Sequence, residues 1–454
     1  MSHNAAPETI TIVGAGLAGA LLAIFLAQRG LRVEVYERRP DSRQGGVSAG
    51  RSINLALSTR GLHALQQVGL ADTVRRDAIV MRGRMIHPLD APVRFQPYGQ
   101  NDSEVLYAIT RADLNNCLLQ AATAYPGVQL QYDAQCTGVN IRHRTLHLRH
   151  AVTGRDQEVP ARRIIGTDGA TSVLRRAMLS TERFNFAQQY LEYGYKELTI
   201  PPGVQGRFQL EPHALHIWPR GTYMLIALPN VDGSFTCTLF LPFAGDTSFA
   251  SLASAAEVTA FFQQQFPDVV ALMPRLVEEF FAHPTGTLVT ITCFPWHVAD
   301  TLLLVGDAAH AMVPFYGQGM NCAFEDCTEL DACIDQYYPD WGGIFHAYEQ
   351  RRKANTDAIA AMALDNFIEM RDRVADPRFL LQKRIDLELE RRYPGIYIPQ
   401  YSLVTFHRVP YAEAQRLGAI QEQILQTLSA TISRFEDVDW AAADRLITER
   451  LGTI

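Results

Sequence analysis

Gly14-Ala-Gly16-Leu-Ala-Gly19 lies between the β-branched run Ile10-Thr-Ile-Val13 and an apolar stretch from Leu17 to Gln28. Glu37 follows 18 residues beyond Gly19, after the alternating segment Arg32-Val-Glu-Val-Tyr36. This is the spacing of a strand, a glycine turn, a helix and a second strand ending in an acid. Gly14 allows the tight turn, Gly16 lets a pyrophosphate approach the backbone, and Gly19 brings helix and strand together. Free amides near Leu17 face the anion at the helix N-terminus. Glu37 can accept from both hydroxyls of a ribose. The chemistry is dinucleotide binding, and this motif alone does not separate FAD from NAD.

Two later segments make that choice. Ile165-Gly166-Thr-Asp168-Gly169-Ala-Thr-Ser172-Val-Leu-Arg175-Arg176 sets a carboxylate and glycine at a strand end, with a hydroxyl and arginines entering the next helix. Alone it also reads as an Asp-Gly turn with a helix cap. Leu303-Leu-Val-Gly306-Asp307-Ala-Ala-His310 continues through Pro314-Phe315-Tyr316-Gly317-Gln-Gly319-Met320-Asn321 as an apolar strand, a Gly-Asp pair and a glycine-rich loop opening a helix. Asp307 can accept from a ribitol hydroxyl, and the amides around Met320 and Asn321 can face flavin ring carbonyls. The cofactor these segments select is FAD.

The elements that must position these groups follow from the pattern. Ile10 to Ala27 is an uncharged run of 18 residues, long enough to raise a membrane-span reading. Three glycines break it, and residues 1–9 carry no Lys or Arg, so a secretory signal lacks its positive region. Helices are expected at about 58–69 and 111–124, with short strands over 128–165. An antiparallel sheet is expected over about 184–242, including Ala214-Leu-His-Ile-Trp218 and Tyr223-Met-Leu-Ile-Ala-Leu228. After the apolar strand Leu302-Leu-Leu-Val305 the chain reads as mostly helical to its end. The expected class is α/β. A Rossmann-like FAD-binding domain is gathered from 1–70, 106–180 and 285–330, a β-sheet substrate domain is inserted as 71–105 and 181–284, and 331–454 forms a helical C-terminal region.

Composition narrows the partners. The 454 residues are 47% apolar and 20% charged, an ordinary globular mix. With 41 basic against 48 acidic residues the net charge is -7, so no sequence-wide field attracts polyanions and nucleic acid is not expected. Seven cysteines, with no CxxC pair, fit neither a disulfide framework nor a zinc cage, and a reducing, cytosolic setting is expected. Gly46-Val-Ser48-Ala-Gly50 spells a nucleophile-elbow pattern but follows no apolar strand, so a hydrolase is not expected. His213 and His216 lack HExxH or paired-Cys company, and no metal ligands are expected. His310 reads as a packed, hydrogen-bonded histidine beside the flavin loop rather than a base.

The order of the glycine, Asp-Gly and Gly-Asp segments resembles the flavoprotein aromatic hydroxylases, single-component FAD-dependent monooxygenases. Arg111, in Tyr107-Ala-Ile-Thr-Arg111, matches the arginine those enzymes place near the ribityl and pyrophosphate portion, though alone it reads as a surface or helix-start charge. Three segments narrow the resemblance to the kynurenine 3-monooxygenase family over nearly the whole chain. They are Gly50-Arg51-Ser52-Ile53-Asn54-Leu55-Ala56-Leu57-Ser58, the loop Pro314 to Asn321, and Ala363-Leu-Asp-Asn366-Phe-Ile-Glu-Met370-Arg371-Asp372.

That resemblance implies FAD as cofactor, NADPH and O2 as co-substrates, and hydroxylation of L-kynurenine to 3-hydroxy-L-kynurenine in tryptophan degradation. Oxygen would pass through a C4a-hydroperoxyflavin, with no catalytic side chain required. Carried over by position, Arg84 and Tyr98 hold the substrate carboxylate, Asn366 and Tyr401 complete the polar contacts, and Phe315 and Met370 line the ring pocket. Ala56 and the pair Glu37-Arg38 fall at the adenosine part of FAD. A guanidinium fork and phenol donors suit an amino-acid carboxylate. Without the resemblance, Arg84 reads as a solvated strand charge, Tyr98 and Tyr401 as packing residues and Asn366 as a surface residue. Tyr316 stands at a loop position whose aromatic type the family does not fix.

No second GxGxxG is present, which implies a transient NADPH dock and flavin reduction promoted by substrate. Eukaryotic members carry a C-terminal membrane anchor; this chain ends at Ile454 without one, so a cytoplasmic, bacterial-type enzyme is expected. Three alternatives stay open: a hydroxylase of another aminoaryl or phenolic acid, a flavin dehydrogenase, and a non-catalytic flavin-binding module.

Overall fold

The computed structural model describes residues 8–41, 43, 54–370 and 376–452. The segments Gly46 to Gly50 and Gly50 to Ile53, and Arg371 with Asp372, lie outside the described residues. The fold is mixed α/β and divides into two compact units. The first comprises Met1–Asp77, Ile109–Tyr190 and Val289–Ala360; the second comprises Ala78–Ala108, Leu191–Leu288 and Ala361–Ile454.

The first unit is built on a six-stranded sheet in the order His297–Val298, Leu302–Leu304, Ile164–Gly166, Thr9–Val13, Arg32–Tyr36, Val128–Gln131. All neighbours are parallel except the edge pair His297–Val298 with Leu302–Leu304. The strands are short runs of Val, Ile and Leu because a parallel sheet is covered on both faces. Register then does the positioning: Val13 pairs with Tyr36 and with Gly166, and Gly166 pairs with Leu304. Four strands therefore end at one level, and Gly14, Glu37, Asp168 and Gly306 all leave the sheet at the same edge, beyond the carboxyl ends of the strands.

The uncharged run that raised a membrane reading is the central strand, the glycine turn and the helix Leu17–Gln28. That helix is apolar all round and buried from Leu21 to Leu26, as a helix enclosed by protein must be. It packs on the helices Arg111–Thr123 and Gly319–Tyr337. A separate antiparallel sheet joins Ala134–Asn140, Thr145–His150 and Asp156–Pro160.

The second unit carries most of a seven-stranded sheet in the order Gly286–Phe294, Asn185–Ile200, Phe235–Pro242, Met224–Pro229, Ala214–Pro219, Gly83–Ile86, Arg94–Pro97. One face buries Trp218, Leu225, Phe235 and Leu239 against Val258, Phe262 and Phe266, which come from the helix Ala255–Gln265 and the residue after it. Each such aromatic or aliphatic side chain withdrawn from water stabilises the unit by roughly 1.5–3 kcal/mol. Where the strand Gly83–Ile86 runs on, His87 Nδ1 lies 2.9 Å from Asp268 Oδ2 and His87 Nε2 lies 2.9 Å from His216 Nδ1. Trp218 Nε1 donates to the same Asp268 oxygen at 2.8 Å. The helices Pro377–Arg392, Gln400–Thr405, Tyr411–Ser429 and Trp440–Arg450 complete the unit.

Candidate active site

The dinucleotide-holding end of the first unit starts at Gly14, whose φ of +101° is the left-handed backbone that glycine tolerates. A Cβ there would stand 2.6 Å from the Thr167 carbonyl oxygen. Thr167 Oγ1 donates to the Gly14 carbonyl at 2.7 Å, which ties the Asp-Gly segment to the glycine turn. A Cβ on Gly16 would meet no atom within 4 Å, so the face of the turn is open. The first intrahelical bond runs from Ala20 N to Gly16 O, and the amides of Leu17, Ala18 and Gly19 precede it at the positive end of the helix.

Glu37 is 6% exposed at the end of its strand. Its Oε2 accepts from Ala15 N at 2.8 Å, and its Oε1 accepts from Arg39 N and Nε at 3.0 and 2.9 Å. Burial works against the carboxylate, but these bonds outweigh it and hold the group ionised below its ordinary range. A carboxylate fixed in this way keeps further lone pairs for ribose hydroxyls. The guanidinium on Glu37 belongs to Arg39, a residue the sequence reading passed over, while Arg38 and Arg111 are exposed.

The Gly-Asp loop is held from behind. Asp326 Oδ2 accepts from Gly306 N at 3.1 Å and lies 2.6 Å from His310 Nε2, while its Oδ1 accepts from Arg352 Nε at 2.6 Å. Arg352 also bonds Glu325, which pairs with Arg60, so two buried arginines and two buried acids neutralise one another. Arg175 donates to the Ala308 carbonyl at 2.7 Å. His310 is packed and hydrogen-bonded, as expected. Its grouping with Cys322 and Asp326 has ligand-like spacing, but burial keeps the Cys322 thiol protonated and the Asp326 oxygens are taken. Asp307, at the start of this segment, is exposed.

Asn321 joins the third piece to the rest. Its Oδ1 accepts from Ser58 N at 2.9 Å, and its Nδ2 donates to the Ala56 and Gly317 carbonyls, each at 2.9 Å. The first bond of the helix Gly319–Tyr337 is Cys322 N to Gln318 O, so the amides of Gly319, Met320 and Asn321 stand ahead of the ladder. Two open helix N-termini, an uncrowded glycine face and an exposed Asp307 at one sheet edge fit an anionic dinucleotide carrying a ribityl chain.

In the second unit Arg84, Tyr98 and Tyr401 come together. Arg84 pairs with Gln96 across the sheet, and Tyr98 follows that partner strand, its N bonded to Arg82 O at 3.1 Å. The Arg84 guanidinium carbon stands 4.7 Å from the Tyr401 ring centre and 5.6 Å from that of Tyr98, and the two rings are 6.0 Å apart. Phe406, not anticipated from the sequence, stands at 6.3 and 6.1 Å from them.

Arg84 Nε and Tyr98 Oη are shut off from solvent and have no hydrogen-bond partner among the described residues. Burial opposes the charge of Arg84, yet the two phenols and Glu369 outweigh it and the guanidinium stays protonated. Burial pushes the Tyr98 phenol well up, so it remains a donor. Unpartnered donors beside a buried cation suit a carboxylate ligand.

Asn366 and Met370 are 8% and 6% exposed and form an i,i+4 pair, with Asn366 Nδ2 3.4 Å from Met370 Sδ. Phe315, 7% exposed, belongs to the first unit, beside Tyr316 at 9%.

Comparison with known proteins agrees with this geometry. A family model described as an FAD binding domain matches residues 8–197 and 287–363. The tetrameric form of 2-methyl-3-hydroxypyridine-5-carboxylic acid oxygenase shares the fold, with a TM-score of 0.66 at 20% identity over 82% of this chain and 95% of that one. The class is therefore that of FAD-dependent aromatic monooxygenases. Proteins named kynurenine 3-monooxygenase match nearly end to end. The one from Myxococcus xanthus (strain DK1622) is 52% identical over 99% of this chain and 96% of its own length. Those from Stenotrophomonas maltophilia (strain K279a) and Dictyostelium discoideum are 45% and 44% identical, over 99% and 98% of this chain and 98% of each relative. The chain belongs to the kynurenine 3-monooxygenase family.

Proposed function

We propose that this chain hydroxylates L-kynurenine to 3-hydroxy-L-kynurenine with FAD, NADPH and O2. The observation that carries the substrate reading is the buried Arg84 guanidinium, flanked by Tyr98 and Tyr401 and left with an unpartnered Nε. Arg84 would bind the amino-acid carboxylate, Tyr98 and Tyr401 would donate to it, and Asn366 would take a further polar contact. Met370 would supply apolar wall there, and Phe315 is proposed as a substrate contact on the family resemblance alone. FAD bound at the glycine turn, Glu37, Asp307 and the amides of Met320 and Asn321 supplies the redox and oxygen-activating chemistry that no side chain here possesses.

The protein's share is orientation and exclusion of water. The aniline nitrogen of kynurenine already activates the ring, so no general base is required. With its carboxylate anchored, the ring is held in one pose rather than sampling many. Arg111 is proposed at the ribityl and pyrophosphate portion, with Ala56 and Arg38 toward the adenosine. Seven cysteines, none in a disulfide, support a reducing cytoplasmic setting. No helix among the described residues is long and apolar enough to cross a membrane.

The test is aerobic NADPH oxidation by the flavin-loaded protein with and without L-kynurenine. Stimulation together with a product heavier by one oxygen atom supports the proposal. Stimulation with peroxide alone makes kynurenine an effector and another arene the substrate, and no stimulation overturns it.

A further inference from the structure

His297, His346 and Glu349 stand together in the first unit, and none of them is among the residues assigned to FAD. His346 and Glu349 lie one turn apart on the helix Trp341–Ile368, and His297 comes from the edge strand His297–Val298. One ligand atom from each lies within 4.8 Å of the other two.

Proton placement makes this more than proximity. His297 Nδ1 lies 3.3 Å from the Ala299 carbonyl oxygen, and a carbonyl only accepts, so Nδ1 carries the proton. In the neutral form of the ring the lone pair is then on Nε2, which faces Glu349 Oε1 at 3.9 Å, beyond hydrogen-bond reach. Glu349 is 2% exposed, and its other oxygen accepts from the Trp296 backbone amide, which fixes the carboxylate and leaves Oε1 facing the imidazole. In that neutral form a ring lone pair and a carboxylate oxygen converge with no proton between them. The arrangement is favourable once a cation sits there, and a histidine whose second nitrogen donates to a backbone carbonyl is the usual support for a metal ligand. His346, edge-on to His297 at 6.0 Å between ring centres, is exposed and can turn its ring inward.

We propose that His297, His346 and Glu349 form a site for a Zn2+-class divalent transition metal. Three protein ligands would be completed by water. Two imidazoles and one carboxylate, with no thiolate, select Zn2+, Ni2+ or Co2+ over Mg2+ and Ca2+. Ligand bonds near 2.1 Å put ligand atoms about 3.4 Å apart around a tetrahedral ion, so Glu349 and His297 need close by only about half an ångström. The metal would clip the sheet's two-residue edge strand to the helix and leave the flavin chemistry unaltered. The sequence reading looked for HExxH and cysteine pairs, and so passed over His346-x-x-Glu349, whose third ligand lies far away in the chain.

The test is calorimetric titration of the chelator-treated, FAD-loaded full chain with ZnCl2, alongside His346→Ala, His297→Ala and Glu349→Gln. His346 is exposed, so its variant should fold, and Glu349→Gln keeps a carbonyl for Trp296 N. Wild type is expected to bind one Zn2+ more per chain than each variant, or to bind it at least tenfold more tightly. Zn2+ should raise the thermal midpoint of wild type and leave that of His346→Ala unmoved. No binding by wild type at 100-fold molar excess overturns the site. Equal stoichiometry and affinity in His346→Ala, or loss in His346→Ala without loss in His297→Ala, also overturns it.

Discussion

The Arg84 guanidinium carbon lies 4.7 Å from the centre of the Tyr401 ring, a cation over an aromatic face inside the protein rather than a charge in water. Its strand neighbour brings Tyr98 in beside it, the two rings 6.0 Å apart, and none of the three contributes a carboxylate. The two phenols and Glu369 keep it charged against the cost of burial.

Arg84→Ala removes a charge-assisted contact of roughly 1.5–3 kcal/mol, so KM for L-kynurenine should rise roughly 10- to 100-fold while FAD content is unchanged. Arg84→Lys should recover little, because an ammonium cannot reproduce the planar fork. Steady-state kinetics with flavin absorbance on the same samples checks both, and an unchanged KM removes Arg84 from the site.

Tyr98→Phe separates binding from folding. The phenol oxygen is buried without a partner in the free protein, so deleting it should leave the thermal midpoint equal or higher. KM should nevertheless rise about fivefold, the cost of one hydrogen bond of about 1 kcal/mol. A fall in stability with KM unchanged would make Tyr98 a structural residue only.

Gly16→Val tests the cofactor cradle. Gly16 has an extended backbone that any residue adopts, and a Cβ there meets nothing within 4 Å. The variant should fold with wild-type circular dichroism yet purify without yellow colour, because the added methyls occupy the space the pyrophosphate needs. Retention of stoichiometric FAD would place the dinucleotide elsewhere.

Much of this was legible in the sequence because it is local. The glycine turn, its flanking strands and Glu37 are contiguous, and parallel register alone brings Asp168 and Gly306 to the same sheet edge. Arg84 was harder: alternation along a strand does not distinguish a solvated arginine from one enclosed by Tyr98 and by Tyr401, more than three hundred residues further on. Only the family resemblance supplied that partner. Asp326, Arg352 and Thr167, which brace the cradle from behind, carry no periodic signal, since a buried ion pair breaks the apolar pattern without announcing its partner. The Arg39 guanidinium on Glu37 is a matter of side-chain direction, which sequence spacing does not settle.

His216 predicts a pH dependence of stability. It is 1% exposed, and burial pushes its pKa down from 6.5 to about 4. The unfolded chain therefore binds a proton that the folded chain refuses, so this stability is present above pH 6.5 and lost as pH falls toward about 4. The loss from this residue is about 3 kcal/mol. Denaturant unfolding from pH 7 to pH 4 should show a shallower fall in His216→Asn than in wild type, and parallel curves would remove His216 as the cause.

The most direct measurement of the central claim is turnover of L-kynurenine under 18O2 with NADPH, followed by mass analysis of the product. One labelled oxygen atom in 3-hydroxy-L-kynurenine, at one NADPH consumed per product, is the predicted result. NADPH consumption with unlabelled or unmodified kynurenine would contradict it, and would assign the chain to flavin reduction without hydroxylation of this substrate.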